Sequence, residues 1–155
     1  FTSLGMAYLA MESYSSARAV LQEAIAELED EESLSSPLAS RAFRALGVAE
    51  CELGDAAKAL GALQSARMIL ETRGQLNSEE GALCLMALGD VYTELDDFEQ
   101  AIECFELVRL NADVGSAKEA PVDIDELFHK IEEARRQLRH SDAERLFGAP
   151  EDSDE

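Results

Sequence analysis

Apolar residues along most of the chain recur at three- and four-residue intervals, the period of amphipathic helices rather than strands. Phe1, Leu4 and Tyr8 form one stripe, Phe43 and Leu46 a second, and Leu85, Leu88 and Tyr92 a third. The pattern predicts helices at 1–12, 15–30, 37–53, 55–73, 79–95 and 97–111, and a seventh at 124–140. The punctuation agrees. Ser36 before Pro37 is a capping residue followed by proline at the first helical position. Gly54-Asp55 and Asp96-Asp97 make tight turns, and Ser78 before Glu79 and Glu80 caps a start with negative charge. Asp123, Ile124, Asp125 and Glu126 read as a capping box, followed by the stripe Leu127, Phe128, Ile131, Ala134 and Leu138. The longest link runs from Asn111 to Val122, with Gly115 and Pro121 inside it.

Three segments superpose without gaps. Gly5, Gly47 and Gly89 are spaced by 42 residues, and Ala17, Ala59 and Ala101 follow at a constant offset. Leu21, Leu63 and Phe105 come next, then Ala24, Ala66 and Val108. A fixed period in this range means stacked supersecondary units. Glycine inside a helix costs roughly 1 kcal/mol relative to alanine. It is tolerated where a second helix must come close, and the three alanines are its small counterparts.

This register resembles the tetratricopeptide repeat, whose first helix carries W-x2-L-G-x2-Y and whose second carries A and F. Phe1, Phe43 and Leu85 stand at the tryptophan position. Repeat two departs at the tyrosine position, where Glu50 stands, and has Ala56 where Tyr14 and Phe98 occupy the other repeats. The resemblance covers residues 1 to 112, and its period is similar to that of kinesin light chain-type repeats. HEAT and armadillo repeats have comparable periods but lack the paired L-G and alanine pattern. The resemblance implies an all-α, right-handed superhelical solenoid of three helix pairs plus a C-terminal capping helix. The repeats divide as 1–42, 43–84 and 85–112 with a linker to 122, the cap spans 123–140, and 141–155 is an acidic, flexible tail. Phe1 falls at the fourth position of its helix in the family's register, so a longer chain is expected to precede it.

Composition narrows the function. With 33 acidic and 13 basic residues the net charge is −20, which repels phosphate backbones and anionic membrane surfaces alike. Neither nucleic acid nor membrane is an expected partner. Three widely spaced cysteines, Cys51, Cys84 and Cys104, fit a reducing, intracellular compartment, the cytoplasm foremost.

No nucleotide-binding, zinc-protease or nucleophile-elbow motif occurs. His129 and Glu133 share a helix face at a spacing a metal could use, but a solvated pair explains them as simply. Asp123 and Asp125 resemble the start of a calcium loop, yet Leu127 stands at the next ligand position and helix capping accounts for both. The acidic run Glu29 to Glu32 reads as a solvated turn. No catalytic residue, cofactor or metal site is expected, so the protein is not expected to be an enzyme.

In the family the first helix of each pair lines a concave groove. Carried over by register, the lining positions are Thr2, Met6, Leu9 and Ala10, then Arg41, Arg44, Val48, Cys51 and Glu52, then Leu83, Met86, Asp90, Thr93 and Glu94. Phe128, Glu132 and Arg135 of the cap close the end. The Lys and Asn residues with which some relatives clamp a terminal carboxylate are replaced by Thr2, Met6, Arg44 and Val48. The expected ligand is therefore a peptide or amphipathic helix of a protein partner. Its apolar residues would meet Met6, Leu9, Val48 and Met86, and an acidic group would sit near Arg41 and Arg44. The competing readings are a structural rung in a larger scaffold and a regulatory domain of a longer protein.

Overall fold

The computed structural model describes residues 1–28, 31–114 and 122–148, and every described element is helical. The helices are α1 Thr2–Ala10, α2 Tyr14–Ala26, α3 Glu31–Leu34, α4 Pro37–Glu52, α5 Ala56–Thr72, α6 Glu79–Glu94, α7 Phe98–Val114 and α8 Ile124–Phe147. The predicted loop through Gly115 and Pro121, part of the Glu29–Glu32 run and the tail beyond 148 lie outside the described residues.

Strong start signals place the helix beginnings. Ser36 accepts from the Ala39 amide at 3.2 Å, Ser78 from Gly81 at 3.2 Å and Asp123 from Asp125 at 2.9 Å, each satisfying an otherwise orphaned donor. Three ends differ from expectation, among them that of α7, which runs to Val114 rather than 111. Helix α2 stops at Ala26 rather than 30, and the single turn α3 follows it. Helix α8 continues to Phe147, seven residues past the expected end, because 141–147 contains no helix breaker before Gly148 at φ 77°.

Neighbouring helices pack in series: α1 on α2, α2 on α4, α4 on α5, α5 on α6, α6 on α7 and α7 on α8. Helix α4 also touches α1 and α6, so the three first helices lie side by side. Each pair closes at its glycine. A Cβ on Gly47 would fall 2.5 Å from Leu63 Cγ, and one on Gly89 2.3 Å from the Phe105 ring. The large residue of the second helix thus occupies the space the glycine leaves.

The larger core joins α5, α6, α7 and α8, with Leu63, Leu85, Leu88, Phe105, Leu127 and Ile131 all buried. A smaller one, around Ala17, Leu21, Ala45 and Ala49, holds α1 and α2 to α4. Glu50, at the family's tyrosine position, is 2% exposed between α4 and α2. Its carboxylate accepts from Gln22 at 3.5 Å and lies 3.7 Å from the Arg18 guanidinium.

Candidate protein-interaction surface

The face shared by α1, α4 and α6 is a half-buried apolar floor crossed by charged side chains. Met6 and Leu9 pack along the smaller core, and Cys51 and Met86 along the larger. Val48 is half-buried and lies one turn from Arg44 on α4. Thr93 is half-buried and donates to its own helix, to the Gly89 carbonyl at 2.8 Å.

The two arginines expected on this face differ. Arg44 forms a bidentate pair with Glu80 across α4 and α6, with contacts of 2.5 and 3.3 Å and a side chain only 15% exposed. Its charge is answered within the molecule. Arg41 is exposed, and its guanidinium Nη2 lies 3.9 Å from the Met6 sulfur. Arg41 therefore offers the cation that the sequence placed at both positions.

Further along, the face becomes acidic. Cys51 donates to the Glu94 carboxylate at 3.5 Å, bridging α4 and α6. Burial, then Glu94, Glu52 and Asp90, push the Cys51 thiol up to about 11. It is a protonated donor at neutral pH, not a nucleophile. Asp90 bonds and ion-pairs with Lys130 of α8, while burial holds its carboxyl above the usual range. Lys130 also reaches Glu126 at 3.7 Å and lies 5.8 Å from the centre of the Phe105 ring.

The residues expected at the end of the groove fall elsewhere. Arg135 pairs with Glu106 of α7 at 2.7 Å and with Glu132 at 3.0 Å, so it faces α7 and not α6. Phe128, half exposed, lies on the same side of α8 as Arg135 by helical spacing. The structure thus brings Met6, Leu9, Arg41, Arg44, Val48, Cys51, Met86, Asp90 and Thr93 onto one surface and leaves Phe128 and Arg135 off it.

Sequence reasoning missed Glu80 and Lys130. A signal for Lys130 exists in the register: it follows Leu4, Leu46 and Leu88 at the 42-residue period, an apolar position turned basic. Glu80 was read only as first-turn charge, since its partner is 36 residues away.

Residues 82–108, which span most of α6 and most of α7, match the tetratricopeptide repeat family. Over that stretch the chain is similar to one tetratricopeptide repeat. The matched stretch holds the Leu88-Gly89, Tyr92, Ala101 and Phe105 register of the third repeat. Among curated proteins none matches the chain. Tetratricopeptide repeats generally mediate protein–protein interaction, and such folds are typically non-enzymatic interaction modules. No helix among the described residues is long and apolar enough to cross a membrane.

Proposed function

We propose that this tetratricopeptide-type chain is a cytoplasmic adaptor that holds a peptide or amphipathic helix of a partner protein against α1, α4 and α6. Residues 1–112 act as three stacked repeats in a right-handed superhelical solenoid, and α8 covers its C-terminal end. The observation that carries the reading is the lateral contact of the three first helices, which sets Met6, Leu9, Val48 and Met86 on one floor beside the exposed Arg41. Apolar residues of the ligand meet that floor, and an acidic group meets Arg41 rather than Arg44, which Glu80 already holds.

The test is capture of partners by the immobilised chain from its own cell extract. Arg41→Glu with Val48→Glu is expected to abolish capture while circular dichroism stays helical. Capture that survives both changes rules the groove out. A second reading, a rung in a larger scaffold, is favoured by one observation. Phe1 and Leu38 are 59% and 51% exposed around a cleft of about 300 Å³ at the edge of the first repeat. In that reading a neighbouring helical layer covers this edge.

A further inference from the structure

The first helix of every repeat ends in the same way. Met11, Leu53 and Leu95 occupy the C-cap, and the next residues, Glu12, Gly54 and Asp96, turn left-handed at φ 56°, 82° and 58°. The amides of Ser13, Asp55 and Asp97 then donate to the carbonyls of Tyr8, Glu50 and Tyr92, each at 2.9 Å. The chain is thereby forced into the same reversal three times, and the C-cap side chain is turned outward each time. Met11 is 64% exposed, Leu53 37% and Leu95 41%. Because the first helices lie side by side, these three form a column with one apolar side chain per repeat, spaced by about 10 Å, the usual distance between packed helix axes.

The column stands in a negative field. The carboxyl ends of α1, α4 and α6, where the helix dipole is negative, all reach this edge, and no basic residue stands in the last turn of any of them. Glu12, Glu52, Glu94 and Asp96 add charge of the same sign, offset at the second turn where Lys58 pairs with Asp55 at 2.7 Å. The field is felt: Tyr14 is held above its ordinary value by burial first and then by Glu52 and Glu12.

The third repeat shows what suits such an edge. Helix α8 overruns the end of α6, and its Leu138 and Arg145 line a cleft of about 240 Å³ with Leu95, Asp96 and Asp97. An apolar and a basic side chain of one helix face the apolar cap and its acidic turn. Among the described residues, no helix lines such a cleft with the caps of the first two repeats.

We infer that this turn edge is a second docking surface, separate from the groove, and that its occupant is a basic amphipathic helix of a partner protein. The spacing fits such a helix. Seven residues advance about 10.5 Å, so apolar anchors one heptad apart match successive repeats, with Lys and Arg beside them for the acidic turns. The inference does not depend on the groove reading.

The test uses the full chain and fluorescent peptides of about 21 residues with leucine at every seventh position. One peptide carries lysines between the leucines, a second has the lysines replaced by glutamates, and a third has the leucines replaced by serines. Saturable binding of the first alone is expected. It should weaken about tenfold or more with Met11→Ser, Leu53→Ser and Leu95→Ser combined, weaken with added salt, and be unchanged by Arg41→Glu. If the triple variant loses helicity, Glu12→Lys with Asp96→Asn, both in the turns and outside the groove face, gives the same loss through charge. No saturable binding, equal binding of the three peptides, or binding indifferent to both variants overturns the inference.

Discussion

Gly89 and Phe105 meet where a side chain is missing, and that contact sets the separation of α6 and α7. A methyl group at Gly89 lands 2.3 Å from an aromatic ring carbon that is itself buried and cannot swing aside. Gly89→Ala should therefore destabilise the protein by about 1–3 kcal/mol in urea unfolding, overpacking outweighing the gain in helix propensity. Gly61, in the exposed face of α5, has nothing within 4 Å of its Cβ position, so Gly61→Ala should stabilise by up to about 1 kcal/mol. The same residue type thus gives opposite signs. The 42-residue register carries Gly89 and not Gly61, because only the packing glycine recurs with its alanine and its large apolar partner. Glu50 was different. Sequence marked it as a departure from the repeat, but its partners Arg18 and Gln22 sit in another helix, 32 and 28 residues away. One of its buried oxygens accepts no hydrogen bond. Glu50→Gln removes the charge and keeps a partner for Gln22, and it should raise stability by about 1 kcal/mol.

Among the elements, helix starts were legible, as were the ends of α4, α5 and α6, while those of α2, α7 and α8 were not. Ser36-Pro37, Ser78-Glu79 and Asp123-Ile124 each place a capping oxygen ahead of the first turn, and α4, α6 and α8 begin where those signals stand. Ser78→Ala removes both the bond from Gly81 and the bond to the Gln75 carbonyl, and it should cost about 1 kcal/mol. Faster amide exchange should be confined to the first turn of α6 and the loop before it. The ends of α2, α7 and α8 depend on tertiary contacts that a local pattern does not carry. Helix α8 exceeds its expected length, and its added turns bring Arg145 to the cleft that Leu138 lines with Leu95, Asp96 and Asp97. The orientation of α8 was also out of reach. Its stripe buries Leu127, Ile131 and Ala134 but leaves Phe128 half exposed, and which flank meets α6 depends on Lys130 finding Asp90 while Arg135 finds Glu106. The sequence places Phe128 and Arg135 in the groove, but Arg135 pairs with Glu106 of α7 and Phe128 stands half exposed on the same flank of α8.

At the scale of the whole molecule, the bulk charge of −20 says little about the candidate site. The groove face holds one exposed arginine, two internal ion pairs and an apolar floor, while much of the negative charge lies on turns and outer faces. The three thiols contribute a property of the folded state as a whole. Burial pushes Cys84 up to about 12 and Cys104 to about 11, and burial with nearby carboxylates brings Cys51 to about 11. An unfolded thiol ionises near 9, so between there and the folded values the unfolded chain loses protons first. Stability is intact below pH 9 and should fall as pH rises above it, with a smaller fall when Cys84 and Cys104 are both alanine. Urea midpoints measured at increasing alkaline pH check this. The central claim, that partners sit on the face shared by α1, α4 and α6, is tested most directly by photo-cross-linking. A photoreactive phenylalanine placed at Val48 is expected to capture the partner, while the same group at Met68, 66% exposed on α5, captures none. Equal capture from both positions, or capture from Met68 alone, would contradict the account.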